Sequence, residues 1–286
     1  MVILPAGSLH PIHDVSTVVA GEMCIPKPVS NAADPNIPMV ILASSTDSPQ
    51  SKTTTIDNKS SLPTPSITTE KEMLDRLEQA VDLWDMDEHE QAFPILKELA
   101  NEHPQAVFML GEYWEQKQDE KLAYEYYLQA AKQGHTDAQN AVGICFKVGY
   151  GVEQDSKSAR HWFHMAALQN NANAQYTLAK YFAEDKNEGK YAKWLQKAAN
   201  GGQTDAQVEI ADNYEQGQYG FEQNHKTAFA WYEQAAFQNN AKAHFMLGWY
   251  YCYGKGAVAI DKGLAMTHFL KAAALGFQKA YCPLGL

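Results

Sequence analysis

The sequence predicts an all-α chain: an α-solenoid of stacked antiparallel helix pairs behind a disordered amino-terminal segment. Three observations predict it. Adjacent alanines recur at Ala130-Ala131, Ala166-Ala167, Ala198-Ala199, Ala235-Ala236 and Ala272-Ala273, at spacings of 36, 32, 37 and 37 residues. After each pair comes another alanine (Ala138, Ala174, Ala206, Ala243, Ala280), and four residues later an aliphatic side chain followed by a small one, from Val142-Gly143 to Leu284-Gly285. Between pair and following alanine lies a Gly or Asn turn, residue types that tolerate the left-handed backbone ending a helix. A fixed period of this length marks a repeat array rather than a globule.

Composition removes several function classes. The 286 residues carry 34 acidic and 23 basic side chains, a formal charge of -11. Only Arg76 and Arg160 are arginines, so no basic stripe for nucleic acid is expected. Four cysteines, none in a C-x-x-C pair, exclude a disulfide framework or zinc ribbon. No apolar run approaches the ~18 residues of a membrane span, so no membrane insertion is expected.

Taken in order, residues 1–69 read as a disordered tail and linker. Ser and Thr fill 14 of the 26 positions from Ser44 to Thr69, too few apolar groups to offset the entropy of ordering. Two apolar patches, Val2-Ile3-Leu4 and Met39-Val40-Ile41-Leu42, lie among prolines, and whether residues 1–43 carry a docking motif stays open. Pro5, Pro11 and Asp14 break the early run, and Lys27 is the first lysine, a poor match to an export signal. The expectation is a cytoplasmic protein, with the periplasm as alternative.

Residues 70–286 read as the solenoid. Met73, Leu74, Leu77, Val81 and Trp84 form one helical stripe and Ala92, Ile95, Leu96, Leu99 and Ala100 another, an amino-terminal helical pair over 70–105. Repeats are placed at 106–137, 138–173, 174–205, 206–242 and 243–279. In each, a first helix opens on the alanine; Ala243, Met246, Leu247 and Tyr250 show its stripe. A second helix carries a large doublet before the alanine pair: Tyr126-Tyr127, Trp162-Phe163, Trp194-Leu195, Trp231-Tyr232 and His268-Phe269. The small residue of the first helix is expected to admit the ring of the second. Asp137, Asn173 and Asp205 are expected to cap first helices. Residues 280–286 begin a terminal helix, leaving an apolar end suited to self-association or to cover by a segment such as Val2–Leu4.

These residues resemble the Sel-1-like repeat, a relative of the tetratricopeptide repeat. Residues 138–173 match best, through Val142-Gly143, Gly149-Tyr150-Gly151-Val152, Asp155, Ala159, Trp162-Phe163 and Ala166-Ala167; the last unit matches in Leu247-Gly248, Tyr251, Gly254, Gly256, Asp261, Lys262 and Ala265. The resemblance implies a non-catalytic scaffold for protein–protein interaction in bacterial signalling, secretion or envelope assembly. By analogy with tetratricopeptide arrays it implies that first-helix residues line a groove for a protein or peptide partner: Phe108, Glu112, Asn140, Ile144, Tyr176, Lys180, Asp212, Phe245, Trp249 and Tyr253. The alternative that several of these face neighbouring helices stays open. Cysteine-rich members imply a second function, a cell-wall-active or β-lactam-binding hydrolase, but Cys145, Cys252 and Cys282 do not repeat as paired cysteines would.

Candidate chemistry is thin. Gly149-x-Gly151 and Gly254-Lys255-Gly256 precede no Gly-Lys-Ser/Thr and recur at one repeat position, so they read as turns rather than a phosphate cradle. His161 and His164 share a helix face but lack a third ligand, so no metal is expected. Neither a cofactor nor catalytic residues are expected.

Overall fold

A computed structural model describes residues 70–280. Residues 1–69 and 281–286 lie outside the described residues, and with them the tail, linker, Cys282 and terminal-helix expectations. Among the described residues there are twelve α-helices and no strand: α1 (Glu70–Asp85), α2 (His89–Leu99), α3 (Pro104–Gln116), α4 (Glu120–Lys132), α5 (Thr136–Val148), α6 (Ser156–Leu168), α7 (Ala172–Glu184), α8 (Glu188–Asn200), α9 (Thr204–Gln216), α10 (His225–Phe237), α11 (Ala241–Tyr253) and α12 (Lys262–Ala274). Each helix packs chiefly on its two neighbours in sequence. A continuous α-solenoid results.

All ten helices from α3 to α12 have 13 residues. Helices that short are marginal alone in water, so packing sustains them. The doublets supply it through their second member: Tyr127, Phe163, Leu195, Tyr232 and Phe269 are all buried, whereas Tyr126, Trp162, Trp231 and His268 are only half-buried. The small residue of the first helix meets that ring. A Cβ on Gly111 would lie 2.5 Å from the Tyr127 ring, on Gly143 2.8 Å from Phe163, and on Gly248 2.6 Å from Phe269. Helix pairs touch backbone to ring at these points.

Turns between repeats hold Gly134, Asn170, Gly202, Asn239 and Gly276 at φ between 60° and 92°, as the Gly and Asn turn residues require. The caps differ from expectation. First helices begin two residues before the opening alanine, so Asp137, Asn173 and Asp205 lie inside the first turn and cap nothing. The caps are His135, Asn171, Gln203 and Asn240, whose side chains accept from the amides of Ala138, Ala174, Ala206 and Ala243. A cap needs extended backbone, which these four have and the helical Asp137, Asn173 and Asp205 do not. Second helices are capped by Asp119, Asp155, Asn187, Asn224 and Asp261.

A polar clasp joins successive turns in two places. Gln169 Nε2 donates to the Gly134 carbonyl (3.2 Å) and to Gln139 Oε1 (2.8 Å), Gln139 donates to the Ala131 carbonyl, and Thr136 donates to Gln169. Gln238, Gly202, Gln207, Ala199 and Thr204 repeat the arrangement bond for bond. Buried amides are satisfied here without a second repeat signature in the alanine register.

Candidate binding face

Helical period carries the side chains at the third and sixth positions after the opening alanine, with those near the seventh, ninth and tenth, to one face of each first helix. At the α11 end this face forms a cleft of about 360 Å³ lined by Met246, Trp249, Tyr250 and Tyr253 of α11, Glu215 of α9 and Lys255. Trp249 and Tyr253 sit one turn apart with rings parallel, 5.1 Å between centroids and 4° between planes. Tyr253 is 61% exposed. Trp249 is half-buried because its other neighbours are Phe245 and Phe269. Glu215 fixes the wall: its carboxylate accepts from Tyr250, from Lys255 Nζ (3.0 Å) and pairs with His225 Nδ1 (3.0 Å). Burial opposes the Glu215 charge, but these partners prevail and hold its pKa below the usual carboxylate value.

Moving toward α3, further carboxylates meet tyrosines. Asp212 accepts from Tyr232 (2.6 Å) and Lys242. Glu209 accepts from Tyr176 (2.8 Å), Tyr191 (2.8 Å) and Lys180 (3.0 Å), and so ties α7, α8 and α9 together. Glu115 accepts from Tyr127 (2.5 Å). Glu112 differs from all of these. Half-buried, it has no hydrogen-bond or ion-pair partner among the described residues. Burial first, then the charges of Glu115 and Asp137, push its pKa up to about 7.

Of the ten residues predicted for the groove, Trp249 and Tyr253 come together in the cleft. Tyr176, Lys180 and Asp212 sit in the tyrosine–carboxylate network. Phe108 lies against Tyr127 and stacks on His135 at 4.8 Å, and Phe245 packs on Phe269 and Phe277, so both rings serve helix packing. Asn140 is buried and Ile144 is half-buried against the core around Phe163. Glu209, Met246 and Lys255 were absent from the residues predicted for the groove, whereas Glu215 falls at a later groove-facing position that the tetratricopeptide analogy also gives. Glu209 and Met246 would have followed from reading the third position alongside the sixth; Lys255 lies in the 3-10 turn after α11, whose reach the period of the first helix does not give.

Comparison with known proteins settles the lineage. The Sel1 repeat profile matches residues 104–135, 136–171, 172–203, 204–240 and 241–277. The chain belongs to the Sel1 repeat family. Its Sel1 units start where the first helices start, two residues ahead of the alanine register. Relatives include the chitin synthase regulator SKT5 of Saccharomyces cerevisiae, 33% identical over 132 residues, 44% of this chain and 19% of that protein. An uncharacterized protein of Neisseria meningitidis serogroup B is 30% identical over 183 residues, 63% of this chain and 38% of that one. The chain thus spans well under half the length of these curated relatives. Among solved structures, a Sel1 repeat protein of Oxalobacter formigenes aligns at TM-score 0.63 with 25% identity, covering 72% of this chain and 85% of that one. A protective antigen of uropathogenic Escherichia coli with the same fold aligns at 0.62 with 26% identity, covering 73% and 47%.

Sel1 repeats generally mediate protein–protein interaction. Outside the cleft, His244 and His268 meet Nδ1 to Nδ1 at 3.0 Å. Cys145 is buried, which pushes its thiol up to about 12, and Cys252 is half-buried on α11; both are free. His164 lies edge-on to Trp194. Among the described residues no three metal-ligating side chains converge, and no helix is long and apolar enough to cross a membrane.

Proposed function

We propose that this Sel1 repeat chain is a non-catalytic adaptor that holds a protein segment along the first-helix face, anchored in the cleft at Trp249 and Tyr253. The observation that carries the reading is the cleft itself: an aromatic pair with one open side, flanked by a fixed Glu215–Lys255 wall. Aromatic anchors set in pockets commonly dominate interface energies. The tyrosine–carboxylate network beside the cleft supports a rigid docking surface, since its acids are engaged by the chain's own hydroxyls and ammonium groups. Regulator names among the relatives agree with such a role. The net charge of -11 supports a protein partner over nucleic acid. The test is Trp249→Ala in the full chain. Partner affinity is expected to fall by ~2 kcal/mol or more with helicity unchanged. An unaltered affinity would take Trp249 out of the site.

A further inference from the structure

We propose that the α11 cleft receives a proline-rich segment of the partner, bound as a polyproline helix. The inference rests on the adaptor reading and names the chemistry of its ligand. Hydrogen-bonding capacity in the cleft leans toward donors. Its carboxylate, Glu215, already accepts from Tyr250 and Lys255 and pairs with His225. Its donor-only groups are not all engaged: among the described residues Trp249 Nε1 has no hydrogen-bond partner, the Lys255 side chain stays 47% exposed beside Glu215, and the unpartnered Tyr253 hydroxyl can donate as well as accept. A fitting occupant therefore brings acceptors and apolar surface and few donors.

Polyproline chains have that character. Proline lacks an N–H, the polyproline helix makes no internal hydrogen bonds, and its carbonyls point outward free to accept. An amphipathic helix is the poorer match, because its carbonyls are already bonded within the helix. The surface suits the shape as well. The Tyr253 ring stacks on Trp249 and leaves its outer face open to solvent, a flat surface against which a pyrrolidine ring can lie. From Met246 to Tyr253 the α11 wall runs about 10 Å, close to the ~9 Å turn of a polyproline helix. One turn of ligand spans the cleft.

The test is fluorescence anisotropy of the full chain with two labelled peptides of about twelve residues, one built of Leu-Pro-Pro units and one with alanine at every proline. The proline peptide is expected to bind at least about tenfold tighter than its alanine counterpart. Trp249→Ala should abolish that difference. Tyr253→Phe keeps the ring and loses the donor, and should weaken the proline peptide about threefold. Gln129→Ala, on the exposed side of α4, should change nothing. Equal binding of the two peptides, or indifference to Trp249→Ala, overturns the proposal. An array of peptides of mixed composition separates the two readings. Trp249-dependent capture of sequences without proline would sink the polyproline inference and leave the adaptor reading standing. No Trp249-dependent capture of any peptide would remove the cleft from both.

Discussion

Glu112 is the residue whose environment works against the fold. Its counterparts at the sixth repeat position are Ile144, Lys180, Asp212 and Trp249, each packed or paired, while Glu112 faces Glu115 and Asp137 with no cation beside it. Its folded pKa of about 7 lies above the unfolded carboxylate value. Below that ordinary value both states are protonated and pH has no effect through this group. As pH rises toward 7 the unfolded chain releases the proton first, so stability falls, and above 7 it levels off. Glu112→Gln is therefore expected to be more stable at pH 8 by about 1–3 kcal/mol and to lose this slope in urea unfolding between pH 5 and 8. Identical slopes in both proteins would show that the carboxyl is better solvated than its position implies. Gly143 tests packing at the same scale. A side chain there must displace Phe163, so Gly143→Val should cost ~1–3 kcal/mol, measured by the same unfolding. The glycine–ring contact was legible in the sequence because both partners recur in register. The isolation of Glu112 was not, since it depends on which side chains packing brings opposite it, Asp137 of α5 among them.

For the helices, period and turn residues gave their order and approximate bounds. They did not give their caps. Asp137, Asn173 and Asp205 look like caps because acidic and amide side chains are favoured there, yet capping depends on backbone conformation, and the extended residue lies two positions earlier. The side chains that do cap first helices (His135, Asn171, Gln203, Asn240) share position but span three types, and the two asparagines stand where a turn residue is equally expected. The glutamine clasps were hidden for another reason: they recur in only two of the repeats, around Gln169 and Gln238. Gln169→Ala removes two donated bonds and leaves Gln139 and the Gly134 carbonyl short of a partner. It should lower stability by about 1–3 kcal/mol and speed amide exchange in the turn at Gly134 more than in α11. Uniform exchange along the array would argue that the clasp adds no local rigidity.

In the whole molecule, stability and function are laid out along one direction. Each repeat contacts its neighbours, so local stabilities add along the stack. The tyrosine–carboxylate network couples α7, α8, α9, α10 and α11 through Glu209, Asp212 and Glu215, three acids one turn apart on α9. Helix α9 is thus the spine of the face, although the sequence singled out aromatic α11. The ring cleft and the spine together define where a partner segment can lie. Site-specific photo-crosslinking examines that claim most directly. A crosslinking residue placed at Tyr253 or Lys180 on the first-helix face is expected to trap one discrete partner, and the same residue at Gln129 or Gln234 on second helices is expected to trap none. Equal trapping from both sets, or trapping confined to the second helices, would contradict it.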